Sequence, residues 1–153
     1  MQSLDETRHT LKAQHLRLQT LIAELRTAAA GLSLATGGRE VARAALEAVV
    51  ERFRTVLEAH LFDEERLLGP ILMRIDAWGP QRLELMQAEH AHQRAVLAVL
   101  GSDRTRVLPN EALARRAWDL SADVLADMAA EEREILASSV LTDDTIALDQ
   151  SEA

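Results

Sequence analysis

Six ionisable side chains are spaced so that helices would carry them on a buried face, and imidazole and carboxylate groups of this kind bind metal ions. They are His15, His60, Glu64, His90, Asp127 and Glu131. His60 with Glu64, and Asp127 with Glu131, are four residues apart, so each pair shares one helix face. Burial of an unpaired charge costs on the order of several kcal/mol. A pair of bound metal ions would neutralise this set.

The apolar pattern around these residues predicts four long helices, over residues 5–30, 39–68, 79–100 and 111–138. All six ionisable residues fall within the apolar stripes, at helical spacing. Gly69 and Pro70 predict a break or kink in the second helix, followed by a bent extension or a packed connector over 71–78. Short connections between long helices predict an all-α, up-down-up-down four-helix bundle.

Length and composition narrow the function further. The chain of 153 residues predicts one domain over residues 1–138 and an acidic, aperiodic tail over 139–153 that we expect to be mobile. Because cysteine is absent, any metal must be held by nitrogen and oxygen. The net charge of −8 argues against nucleic-acid binding. No apolar run approaches the ~20 residues of a membrane span, and the first residues do not resemble a signal peptide, so we expect a cytoplasmic protein.

The ionisable residues also form an internal repeat. His15 and Leu25 have the same separation as His90 and Leu100, and segment 60–66 (HLFDEER) overlays segment 127–133 (DMAAEER). Two such helical hairpins bring four ligand-bearing faces to a common axis with approximate two-fold symmetry. This arrangement suits a dinuclear centre in which two carboxylates bridge and imidazoles cap the ends.

On these residues the chain resembles the hemerythrin-like (HHE cation-binding) family. Bacterial members carry a His on the first helix, His-x-x-x-Glu on the second, a His on the third and His-x-x-x-Glu on the fourth. Segment 64–70 (EERLLGP) is also similar to the family's Glu-Glu-x-x-Leu-Phe-Pro ending of the second helix. The resemblance spans residues 5–138. It implies two non-haem iron ions, with manganese or zinc as alternatives, bridged by Glu64 and Glu131 and capped by His15, His60 and His90.

Two positions depart from the family's pattern. Asp127 stands where the family has its fourth His, and it either binds metal directly, binds through a water, or marks a site that has lost a metal. Arg94, one turn after His90, stands where a five-His oxygen carrier would have another ligand. The extra carboxylate favours the ferric state. Both departures argue against reversible oxygen transport.

The resemblance therefore implies a non-haem diiron protein that senses dioxygen, peroxide or nitric oxide, serves a redox response, or handles iron. One alternative is a metal-poor or zinc-stabilised bundle that acts as a protein-interaction module with an unknown partner. Another is a diiron oxidoreductase that removes peroxide. The sequence offers no catalytic residue or substrate pocket, so whether the chain is an enzyme stays open.

Simpler interpretations compete at single residues. A lone histidine on an apolar face is more often a hydrogen-bonded core residue than a ligand. Residues 119, 123, 127 and 131 form an acidic line that is compatible with a solvated face, although the line drifts toward the apolar stripe. Asp63, Glu65 and Glu132 adjoin the predicted ligands but lie off their face, which predicts surface positions or support of the ligands. His9 and His92 are predicted to lie on the surface.

Overall fold

A computed structural model describes residues 2–101 and 107–137, and within these ranges the chain forms four helices and no strand. Helix α1 comprises Leu4–Leu34, α2 Arg39–Ile75, α3 Gly79–Leu100 and α4 Asn110–Glu134. The predicted all-α four-helix bundle is confirmed. The predicted tail over 139–153 lies outside the described residues. No helix in the described part of the chain combines the length and apolar character needed to cross a membrane.

The helix boundaries follow local chemistry. Ser3 caps α1: its hydroxyl accepts from the Glu6 amide, and the Glu6 carboxylate accepts from the Ser3 amide. Gly38, with φ of 63°, precedes α2 in a left-handed conformation that glycine adopts without strain. Pro80 occupies the first turn of α3, where its missing N–H would have no helical partner.

The second helix does not stop at Gly69 and Pro70, contrary to the predicted end near residue 68. It runs through both residues to Ile75, so segment 71–75 is a helical extension rather than a connector. Pro70 is exposed, so water can satisfy the carbonyl that lacks its amide partner. The chain turns only at residues 76–78. There Gly79 passes so close to the Leu72 carbonyl that a Cβ atom would overlap it.

The interior consists of two apolar clusters with the polar residues between them. The larger cluster extends from Leu32 and Leu46 at one end of the bundle to Leu61 and Met128. The smaller cluster contains Leu11, Leu68, Leu72 and Leu136. On α1 the change from one cluster to the other falls at His15, between Leu11 and Leu18, and on α2 it falls at Glu64, between Leu61 and Leu68. Beyond Glu131 and the end of α4, Leu136 belongs to the smaller cluster. A buried polar layer therefore crosses an otherwise apolar core.

The four helices do not pack equally. Helix α1 packs extensively against α2 and α4, and α2 packs against α3, whereas α3 and α4 touch least among neighbouring helices. A cleft of about 670 Å³ lies between α3 and α4, where Ala88, Ala126 and Ala130 leave room. The cleft reaches inward to Asp127 and Glu131. One side of the polar layer therefore faces an open groove.

Candidate metal centre

Glu64 is the hub of the polar layer and is almost fully buried. Its Oε1 lies 2.8 Å from His60 Nε2 and 3.5 Å from His15 Nε2, and its Oε2 lies 3.0 Å from His90 Nε2. The two imidazole rings of His15 and His60 meet edge to face, with centroids 4.9 Å apart. Three helices thus direct three Nε2 atoms at one carboxylate.

A second carboxylate completes the layer from α4. Glu131 Oε1 lies 3.4 Å from His15 Nε2, and the side chain is buried. Burial raises the pKa of Glu131 well above its usual value, with His15 opposing and the charge of Glu64 adding to the rise. Two buried carboxylates this close repel each other unless a proton or a cation lies between them. The layer therefore favours a positively charged occupant.

Each buried histidine is oriented by an acceptor at its other ring nitrogen. His15 Nδ1 donates to Glu132 Oε1 (3.0 Å), His60 Nδ1 to Gln14 Oε1 (2.8 Å) and His90 Nδ1 to Glu65 Oε1 (2.9 Å). A histidine whose Nδ1 donates in this way presents the Nε2 lone pair to a metal ion. Of the two roles predicted for Glu65 and Glu132, a surface position or support of a ligand, these contacts favour support.

Two of these acceptors are themselves held in place. Gln14 Nε2 donates to Asp63 Oδ2 at 2.8 Å, which fixes the amide so that its oxygen faces His60. Arg94 donates to both oxygens of Glu65, at 2.8 and 3.1 Å, and this pairing lowers the pKa of Glu65. Such support fixes the ring orientation before any metal binds.

The protonation of the histidines shows how the layer is neutralised without metal. Burial opposes a charge on His15, but hydrogen bonds to Glu131 and Glu64 outweigh it and raise its pKa from 6.5 to about 10. The pKa of His90 is likewise raised, because Glu64 and Glu65 outweigh burial. The pKa of Glu64 is lowered well below its usual value, since its three histidine partners outweigh burial. A metal ion that binds these imidazoles would therefore have to displace a proton.

Several buried atoms have no hydrogen-bond partner among the described residues. In the polar layer these atoms are Glu64 Oε2, His90 Nε2 and Glu131 Oε1. Glu64 Oε2 and His90 Nε2 lie 3.0 Å apart, yet their geometry is not that of a hydrogen bond. Buried polar atoms without partners are costly. Buried nitrogen and carboxylate oxygen atoms without partners are ligands for a metal ion, so the donor set fits a metal.

On one side of the layer, the possible metal ligands form a compact group. Within the described residues, His15, His60 and Glu64 form one buried group whose ligand atoms all lie within 4.8 Å of one another. His90 and Glu131 join this group through Glu64 and His15. Five of the six predicted ligands are therefore brought together. Whether they bind metal stays a prediction.

Asp127 is partly buried and has other partners. Gln93 Nε2 donates to Asp127 Oδ2 at 3.0 Å, and Glu89 interacts with the same carboxyl group. Burial, Glu89 and the more distant charge of Glu64 raise the pKa of Asp127 to about 7, although Gln93 opposes the shift. Asp127 therefore lies beside the polar layer, in the cleft between α3 and α4.

Sequence reasoning missed two amides that matter. Gln93 is buried, and its spacing from His90 and Leu97 was a helical signal that could have identified it. Gln14 lies next to His15 in sequence but supports His60 on another helix, a contact with no sequence signal. The predicted surface positions of His9 and His92 are confirmed. Asp119 and Asp123 are exposed, so the acidic line of α4 is solvated at that end.

Comparison with known proteins agrees with this geometry. The family model described as the hemerythrin HHE cation binding domain matches residues 7–138. No curated protein and no solved structure gave a match. The matched segment covers most of the chain, from the first turns of α1 past the end of α4. The chain therefore belongs to the hemerythrin HHE cation-binding domain family.

Proposed function

We propose that this protein binds two non-haem iron ions in its polar layer and uses them to respond to small oxidants: dioxygen, peroxide or nitric oxide. The observation that carries the proposal is that three buried histidines face the two oxygens of Glu64, while Glu64 Oε2, His90 Nε2 and Glu131 Oε1 lack hydrogen-bond partners among the described residues. Nitrogen and carboxylate donors of this kind suit iron, with manganese and zinc as chemical alternatives.

The residues have separate tasks in this proposal. His15, His60 and Glu64 would hold one ion, and His90 with Glu64 would hold the other. Glu131 would add a carboxylate from α4, and Asp127 would supplement the second ion either directly or through water. Glu132, Gln14 and Glu65 keep the three rings in the tautomer that leaves Nε2 free to bind.

When bound, a diiron centre supplies one- and two-electron redox steps. The protein's own contribution is to exclude water on the inner sides, where Leu11, Leu18, Leu61 and Leu68 adjoin the ligands and are fully buried or nearly so. Five carboxylates in or beside the layer, those of Glu64, Glu65, Asp127, Glu131 and Glu132, favour the higher iron charge. The proposal therefore favours sensing, redox response or iron handling over reversible oxygen carriage.

The experiment that tests this is elemental analysis of untagged protein prepared without chelator, with an absorption spectrum recorded on the same sample. We expect close to two irons per chain and ferric bands in the near ultraviolet. One firmly bound iron, with a second lost on dialysis, would restrict the centre to the His15 and His60 side.

The same preparation separates the alternatives. Zinc in place of iron, or no metal after anaerobic reconstitution with ferrous iron, would overturn the proposal and favour a bundle that binds a protein partner. Catalytic consumption of peroxide by the iron-loaded protein, over many turnovers per chain, would instead assign it as a peroxide-removing oxidoreductase.

A further inference from the structure

The cleft between α3 and α4 carries a feature that the buried centre does not explain. Its lining includes five carboxylates, from Glu89, Asp123, Asp127, Glu131 and Glu134. The basic groups there are Arg82, which pairs with Asp76 at 3.1 Å, and His92, which lies 3.6 Å from Asp123. The cleft is therefore strongly acidic.

A buried amide in the cleft points to a ligand. Gln93 is 2 % exposed and lines the cleft, and its Nε2 donates to Asp127. Its Oε1 is buried and has no hydrogen-bond partner in the described chain. Because Nε2 is held by a carboxylate, the amide cannot turn to exchange its two ends without losing that bond. A side chain that lines the cleft thus holds an acceptor oxygen without a donor.

We propose that Glu89, Asp127 and Gln93 form an outer binding site for a divalent cation, and that the α3–α4 cleft is the path by which cations reach the buried centre. The inference rests on the proposed function, since it needs a buried centre that takes up metal. Two carboxylates and an amide oxygen are hard donors suited to a hydrated divalent cation.

The depths at which the cleft carboxylates lie explain how the outer site acts. Glu89 is exposed, Asp127 is partly buried and Glu131 is buried, so carboxylates lie at successive depths from solvent to the polar layer. Acidic clefts raise the local concentration of cations and their rate of entry, by about 10-fold or more. A hydrated cation exchanges waters for Glu89 and Asp127 first, and then for the imidazoles and carboxylates of the centre. The outer site therefore accelerates transfer in both directions.

The test follows Co²⁺ uptake by metal-free full-length protein in stopped-flow absorbance, with Co²⁺ release to excess chelator measured separately. We expect Glu89→Gln to slow uptake and release by a similar factor, about fivefold or more, because a path changes rates and not equilibria. The Co²⁺ stoichiometry, the final spectrum and the dissociation constant of the buried centre should stay the same.

Glu84→Gln is the matched control, because it removes the same charge from an exposed position of α3 outside the cleft. It should leave both rates within about twofold of wild type, which separates the cleft from the general field of the protein. Equal rates in wild type and Glu89→Gln would overturn the outer site. A changed dissociation constant with unchanged rate of uptake would also overturn it, since Glu89 would then support the centre itself.

Two tryptophan variants, one inside the cleft and one outside it, test the path independently of charge. Ala126→Trp places a bulky ring in the cleft, whereas Ala129→Trp places it at an exposed position of the same helix that does not line the cleft. We expect only Ala126→Trp to slow uptake, and equal rates in the two variants would overturn the path. If wild-type protein binds no Co²⁺ and no iron, the proposed function fails. If it binds both and the cleft variants do not matter, only this inference fails.

Discussion

The two sides of the polar layer share Glu64, but they differ in how closely the other predicted ligands approach one another and in how tightly the helices pack around them. On the side of His15 and His60, the ligand atoms are within reach of one another and both rings are buried between well-packed helices. On the side of His90, the predicted ligand from α4 is Asp127. Its carboxylate accepts a hydrogen bond from Gln93 and lies in the cleft between α3 and α4. The internal repeat in the sequence therefore corresponds to two unequal half-sites of predicted ligands.

The difference shows that a ligand needs a supporting hydrogen-bond partner and nearby ligand atoms, as well as a suitable side-chain type. His60 is oriented by a neutral amide that is itself fixed by Asp63, whereas His90 is oriented by a carboxylate paired with Arg94. Both arrangements present Nε2 to the centre, but only the first half-site has all its ligand atoms close together. We expect the His15 and His60 side to bind metal first and more tightly.

The largest expected effect comes from removing the hub that both half-sites share. Glu64→Gln keeps the shape of the side chain but removes the charge that faces three histidines, so we expect both ions to be lost. Metal content by elemental analysis should fall to near zero, while Glu58→Gln, at an exposed position of the same helix, retains the wild-type content. Retention of either ion in Glu64→Gln would show that the half-sites do not depend on a common ligand.

Raising the pH should strengthen metal binding, most of all on the His15 side. Below its pKa of about 10, His15 carries a proton that the cation must displace, and the raised pKa of His90 adds a second. Each displaced proton makes the affinity rise about tenfold per pH unit. Co²⁺ titrations at pH 6 and 7 should therefore differ by about 10- to 100-fold. An affinity independent of pH would mean that the imidazoles are not the ligands.

Removing the outer partner of a single ring should sharpen the comparison between half-sites. Gln14→Leu leaves His60 Nδ1 without its acceptor, so the first ion should bind about 10-fold more weakly, with little effect on the second. Isothermal titration with Co²⁺ would resolve the two steps. As a control, Gln19→Leu changes an exposed glutamine of the same helix and should leave both steps unaltered. A loss of equal size at both steps would contradict separate half-sites.

Replacing Asp127 by histidine should make the two sides more alike. Asp127→His introduces a nitrogen donor and removes the hydrogen bond that Asp127 accepts from Gln93, so we expect the second ion to bind about tenfold more tightly, ~1.4 kcal/mol. The first step of the same titration serves as the internal reference and should not change. Weaker binding of the second ion would instead show that Asp127 itself is the better ligand.

The sequence predicted much of this arrangement because apolar periodicity and turn residues act locally. It gave the four helices, placed His15, His60, Glu64, His90 and Glu131 on inward faces, and separated them from exposed His9 and His92. The predicted end near residue 68 was wrong, because packing of the α2 extension against the smaller apolar cluster keeps the helix intact through Gly69 and Pro70. Of the two interpretations of segment 71–78, an extension and a connector, the structure shows the extension up to Ile75.

What the sequence by itself determined is which residues face inward, since a helix repeats every 3.6 residues whatever surrounds it. Only the tertiary structure decided which of them meet. Gln14 reaches His60, Glu132 reaches His15 and Gln93 holds Asp127 because particular helices lie side by side. The gap between α3 and α4 is wider than the gaps between the other neighbouring helices, and this too depends on how side chains fill the space between helices. The periodicity of one helix carries no information about which side chains of other helices it contacts, or about the width of the gap between two helices. These contacts and this gap set the difference between the half-sites.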